Sequence, residues 1–465
     1  MNRSLLLSAF CFLSFAAFAQ SKPSSKPSSK PVAQGVDIQF NDKQTDNDMD
    51  ALRRWLQDKR LVSLKELGGD LSISGEVRTE AQFMNEKRAA YGTDTFIQQR
   101  GMNSATGKPS LNWDVEFNLM LDYHTDRTWA AMKVEFDNDM GIRSGTVNKV
   151  RLEKAYLGGR LIAGDTFTWD AEIGRRYLSN VFDSKLQFGS IFDGVLLRFG
   201  KAWADIGNFY ANIGVFLVDD RFNQYGQVME IGALRIANLP LNMRYSIINW
   251  YHHFSQKDLG NAPTPANPFP QPVPQPWRYL TNQYIIFYQD YPNYLGKRLL
   301  KVYAAGLINP LAEGTVQTGK VWESETLADG TIVWHVIKEG RKENLGWYAG
   351  ATVGLVKKAG DWAVDANYQW VQAQAVAQSD SSGIGRGNAA GTGFYTANQN
   401  GSGGPTTQAT AFSSNNFKGF QVEALYAFTD NLTVQQTIQM SWTLDKNLGP
   451  DDNYKQYELE FIYAF

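Results

Sequence analysis

Residues 454–465 read Tyr454-Lys455-Gln456-Tyr457-Glu458-Leu459-Glu460-Phe461-Ile462-Tyr463-Ala464-Phe465. Tyr457, Leu459, Phe461, Tyr463 and Phe465 fall on one parity, and Glu458 and Glu460 fall on the other. Successive side chains of a strand point to opposite faces, so this is one strand with an aromatic face and a wet face. A half-buried strand of a secreted β-domain would carry such a pattern. A membrane β-barrel uses it more fully, with the aromatic face against lipid and the last strand closing against the first.

Outward from that strand, the same alternation fills the chain. Of 465 residues, 13 are Trp, 21 Tyr and 27 Phe, yet mean hydropathy is only -0.36. Abundant rings in a polar chain suit strands that are apolar on one side only. The formal net charge of -2 gives no basis for nucleic-acid binding.

Arg3 precedes an apolar run from Leu5 to Phe18 and the small-x-small site Ala17-Phe18-Ala19, so residues 1–19 are expected to be a cleaved secretory signal. Cys11, the only cysteine, lies inside it. No later stretch is apolar enough for a spanning helix, so membrane insertion would use strands. Residues 20–46 are expected to be a Ser/Lys/Pro linker. In 47–69, Met49, Leu52, Trp55 and Leu56 at three- and four-residue spacing predict a short amphipathic periplasmic helix ahead of Gly68-Gly69. A barrel is expected over 70–465.

Within that span the period is two. Trp113, Val115, Phe117, Leu119, Leu121 and Tyr123 oppose Asn112, Asp114, Glu116, Asn118 and Asp122. Candidate strands lie near 71–83, 112–123, 128–137, 149–161, 166–178, 190–200, 203–217, 226–236, 239–252, 282–290, 298–308, 345–357, 361–374, 417–428, 431–443 and 454–465. Short connections alternate strictly with long ones. That rhythm predicts an all-β, even-stranded antiparallel transmembrane barrel of sixteen strands with both termini on one side. Soluble sandwiches and propellers have no reason to segregate loop lengths. Residues 321–337 predict an extracellular hairpin around Asp329-Gly330; inserted in the wall it would raise the count to eighteen. Seven prolines between Pro263 and Pro276 predict an extended loop, and the Gly/Ser/Asn/Thr-rich stretch 380–405 a mobile one.

The loop rhythm, the final strand ending in Phe465, and the segment Arg151-Leu152-Glu153-Lys154-Ala155-Tyr156-Leu157-Gly158 followed by Gly174-Arg175 resemble the sixteen-stranded general porins of bacterial outer membranes. The resemblance implies a homotrimer, an assembly signal in Tyr457, Leu459, Phe461, Tyr463 and Phe465 read by the barrel-assembly machinery, and a constriction loop after the fifth strand. Arg175 matches the family's Gly-Arg arginine, whereas strand parity sends Arg176 inward. Asp183 matches an acidic loop tip. The loop carrying it is only about a dozen residues long, so another loop could build the constriction instead.

In a pore the chemistry is electrostatic: charges lining a narrow wet passage set which solutes cross. Parity offers Arg78, Lys133, Arg151, Arg176, Arg244 and Lys301 against Glu76, Glu80, Asp114, Glu116, Glu135 and Glu153 as lumen residues. The mixture suggests a weakly selective channel for ions and small hydrophilic solutes, spanning outer-membrane lipid. An anion- or sugar-selective channel and a closed, adhesin-like barrel are the alternatives. Enzyme chemistry finds little support, because the four histidines, His124, His252, His253 and His335, accompany no nucleophile elbow or His-Glu-x-x-His helix. No cofactor or metal is expected.

Overall fold

The computed structural model describes residues 62–66, 69–89, 94–100, 110–139, 149–203, 207–219, 224–235, 241–251, 279–290, 298–312, 314, 321–377, 380–384, 415–446 and 451–465. The strands are β1 (Val62–Glu66), β2 (Gly69–Ala89), β3 (Phe96–Arg100), β4 (Ser110–His124), β5 (Thr128–Asp139), β6 (Lys149–Ala163) and β7 (Phe167–Tyr177). They continue as β8 (Ile191–Trp203), β9 (Gly207–Asp219), β10 (Gln224–Arg235), β11 (Leu241–Tyr251), β12 (Tyr279–Asp290) and β13 (Leu300–Ile308). The last are β14 (Val321–Thr326), β15 (Ile332–Lys338), β16 (Leu345–Gly354), β17 (Trp362–Val371), β18 (Phe417–Ala427), β19 (Leu432–Thr443) and β20 (Asp451–Ala464).

Sixteen of these, β2, β4 to β13 and β16 to β20, form the wall, each antiparallel to its sequence neighbours. The sheet closes because β2 pairs on one side with β4, from Asp70↔His124 to Met84↔Ser110, and on the other with β20, from Glu76↔Ala464 to Ala89↔Asp451. Gly75 and Phe465 exchange both backbone hydrogen bonds at 2.9 Å and fasten the seam. Closure leaves no unpaired edge in the wall. β14 and β15 pair only with each other, so the 321–337 hairpin adds nothing to the strand count.

The expected signal, linker and most of the 47–69 helix lie outside the described residues. Where description begins, the outcome differs from a helix. Val62–Glu66 pairs with Gly69–Ile73 as a tight antiparallel ribbon. The ladder of β2 offers these residues backbone partners that an isolated helix end does not.

The connection between β16 and β17 has its amides capped by side chains. Asp361 Oδ2 accepts from the amides of Lys357 and Lys358, and Asp430 Oδ1 accepts from that of Ala359. Such side-chain caps need no long loop. Gly174, at φ 137° in β7, is the clearest backbone requirement, because a Cβ there would stand 2.3 Å from the Ala155 carbonyl oxygen.

Parity separates two surfaces. The outer one is apolar, with Val77, Trp113, Val150, Leu157, Ile173, Ile213, Ile286, Trp347, Phe461, Tyr463 and Phe465 among its exposed side chains. The buried clusters lie on the inner surface, over β8 to β18.

Candidate functional site: the barrel interior

The interior is divided. On β2 and β4 to β6 the inward positions are charged, and a cavity of about 320 Å³ opens along them, lined by Arg78, Glu80, Gln82, Asp114, Glu116, Glu135, Asp137 and Arg151. Register explains the clustering: Arg78 lies opposite Glu116, Glu80 opposite Asp114 and Glu135 opposite Arg151. Arg78 pairs with Glu76, with Glu460 at 3.4 Å and with Glu116 at 3.8 Å. Lys133 meets Glu153 at 2.5 Å and Glu135 at 3.9 Å, and Arg151 meets Glu135 at 3.3 Å. Gln82 Nε2 donates to Glu80 and to Glu458, at 2.8 and 3.0 Å. Glu458 and Glu460 of the final strand thus face the interior.

On the other half, inward positions of β8 to β13 and β16 to β18 mix apolar or aromatic residues with buried polar ones such as Asn212, Glu230, Gln283, Asp365 and Asn367. They are covered by the connection between β7 and β8, which folds inside the barrel. Leu178, Val181, Phe182 and Phe188 bury against Phe192, Leu196, Phe216, Val228, Ile248, Trp250 and Tyr279. Leu186 buries with Ile285, Phe287, Tyr303, Leu307 and Tyr348.

Polar contacts then set the loop's position. Asp183 forms an ion pair with Arg244 of β11. The Asp183 amide donates to Glu230 at 3.0 Å, and Gln283 Nε2 donates to the Asp183 carbonyl at 2.7 Å. Lys185 reaches Asp365 of β17 at 3.0 Å. Asp365 also accepts from Tyr303 and Thr352, each at 2.7 Å. Burial disfavours the Lys185 ammonium, but the charges of Asp365 and Glu423 and the hydrogen bond to Asp365 together outweigh it and hold the lysine above its ordinary pKa. Both charges on this loop, Asp183 and Lys185, are therefore matched at the wall.

A second segment also enters. Gln374, Ala375, Val376 and Ala377, after β17, are buried, and Asp380 to Ile384 pack on the first loop. Asn309 Nδ2 and Asn415 Nδ2 donate to the carbonyls of Gln374 and Val376, at 2.9 and 2.7 Å. At the start of the 380–405 stretch, Ser382 N donates to Leu186 O at 3.0 Å. The rest of that stretch is outside the described residues. Composition signalled a loop, and contacts some 190 residues away in sequence hold it.

The candidate residues separate accordingly. Arg78, Glu116, Glu135 and Arg151 line the cavity, with Lys133 beside them. Arg244 and Asp183 join loop to wall. Lys301 is buried on β13 with its ammonium 5.7 Å from the Phe287 ring. Arg176 is buried, pairs with Glu172 and stacks 3.7 Å from the Tyr156 ring centre. Glu172 also accepts from Trp129 at 2.9 Å. Arg175 is on the opposite parity: Asp193 clasps its guanidinium through two bonds of 2.7 Å on the outer face. It stands with Ile173 and Val195, and one residue of register is enough to remove it from the interior. Lys185, Gln283, Asp365 and Asp380 were not among the candidates. The Lys-to-Asp pairing spans 180 residues and leaves no local mark.

No family model matches the chain, and no curated protein matches it. Solved structures that superpose on it include OprB of Pseudomonas putida at high pH, 10% identical with a TM-score of 0.46, covering 85% of this chain and 94% of that one. OmpF of Salmonella typhi in complex with daunomycin is 14% identical with a TM-score of 0.43, covering 87% of this chain and 100% of that one. The outer-membrane channel DcaP of Acinetobacter baumannii is 11% identical, also at 0.43, covering 87% and 100%. The likeness is one of general architecture.

Proposed function

We propose that the protein is an outer-membrane pore through which ions and small hydrophilic solutes diffuse passively. The observation that supports this reading is the pairing of opposite surfaces: a charge-lined cavity inside and a continuous apolar face outside. A soluble protein avoids so large an exposed apolar surface, whereas lipid requires it. Because β2 and β4 to β6 carry charges of both signs, selectivity is weak. The outward Tyr457, Leu459, Phe461, Tyr463 and Phe465 suit a role in assembly by the barrel-inserting machinery, and a trimer is the working oligomer. The chemistry is transport and not catalysis.

Reconstitution in a planar bilayer tests this directly. The expected outcome is stable stepwise conductance, in groups of three if the oligomer is trimeric. A correctly folded barrel that stays silent would favour the closed, structural alternative. Solute-swelling assays with sugars and with inorganic phosphate are expected to show size dependence without strong chemical preference.

A further inference from the structure

The two inward segments meet along a short interface built from backbone and hydroxyl groups. Gly189 N donates to the Asp380 carbonyl at 2.9 Å, and Ser382 Oγ donates to the Gln187 carbonyl at 2.8 Å. At its centre is the Asp380 side chain, fully buried. Its Oδ1 accepts from the Ser190 hydroxyl at 2.7 Å and the Ser190 amide at 3.3 Å. Its Oδ2 has no hydrogen-bond partner among the described residues.

We propose that Asp380 is a proton-operated latch between the two lumen segments, holding them together when its carboxyl is neutral and loosening them when it is charged. The inference rests on the pore reading for its consequence, because loosening would let Asp380–Ile384 fluctuate into the passage.

A carboxyl group this deeply buried, with the protein donating hydrogen bonds to only one of its oxygens, is costly to charge. The groups facing it from Leu178–Ser190 are the Phe188 and Ser190 amides and the Ser190 hydroxyl. Among the described residues no charged side chain contributes to its ionisation. Burial therefore dominates those hydrogen bonds and pushes the group up to about 7.

The sign follows by linkage. The latched state binds the proton more tightly than a released, hydrated Asp380 with its ordinary value of about 4. The proton's contribution to latching is thus complete below that ordinary value, and it disappears as pH rises through about 7.

The test is single-channel recording of the full-length protein, with both chambers moved together from about pH 5.5 to about pH 8.5. Wild type is expected to show open-channel fluctuations rising roughly two-fold or more, with a midpoint near neutrality. Asp380→Asn cannot ionise and should remain at one level throughout. Ser190→Ala removes a donor that favours the charged form, so its midpoint should move to higher pH.

A flat wild-type profile, or an Asp380→Asn channel that keeps the wild-type profile, overturns the latch. Should Asp380→Asn fail to assemble, an unmoved midpoint in Ser190→Ala overturns it equally. If wild type does not conduct, the pore reading fails and the latch is judged separately, by hydrogen exchange at Gly189 and Ser382. Their protection should fall across the same range in wild type relative to the Ser190→Ala and Asp380→Asn proteins; equal protection in all three refutes it.

Discussion

Lys185 shows how much a single side chain can decide here. Its ammonium joins a mobile type of element, a loop, to Asp365 in the rigid wall, and both groups are mostly shielded from water. Lys185→Met leaves Asp365 buried without its cation. Removing one partner of a buried pair costs about 3–5 kcal/mol, here toward the lower value because Tyr303 and Thr352 still donate. The expected result is a folded barrel with a lower unfolding midpoint in denaturant. Gly174 acts through backbone alone. Gly174→Ala forces a side chain into a left-handed position facing the Ala155 carbonyl, a strain of roughly 1–3 kcal/mol, to be read as a reduced yield of heat-resistant barrel.

At the scale of elements, the inserted loop is short but doubly fastened, by apolar burial along one side and by ion pairs of opposite sense at Asp183 and Lys185. The double variant Asp183→Asn with Lys185→Met removes both charges while keeping Phe182, Leu186 and Phe188. It is expected to raise single-channel conductance and open-channel noise; unchanged traces would mean that the apolar contacts alone hold the loop. The β14–β15 hairpin is the contrary case. It pairs with no wall strand, so deleting 321–338 behind a short Gly/Ser bridge should leave barrel stability and conductance near wild type. Strand existence was legible because a two-residue period is local. From the residues alone the inward loop was legible only as a gap of about a dozen, with the resemblance implying a constriction loop there, because its anchors at Arg244, Gln283 and Asp365 come from three distant strands.

For the whole molecule, closure is the central energetic event. Phe465 exchanges two backbone bonds with Gly75, and its ring lies 6.3 Å from Phe117 in a stacked arrangement. Phe465→Ala keeps the backbone bonds and loses the ring. It is expected to cost roughly 1–3 kcal/mol and to slow barrel assembly in vesicles, with refolded channels conducting normally.

The sequence by itself determined the sixteen-strand rhythm, the alternation of short and long connections and the two unlike faces of each strand. These follow from a side-chain period and from turn chemistry, both properties of neighbouring residues. The tertiary structure decided what lies inside. It separated Arg176 from Arg175 by register, drew two loops into the lumen, and set Lys185 against Asp365 and Ser190 against Asp380. Such pairings depend on where a closed barrel brings distant strands and loops together, and no local pattern carries that information.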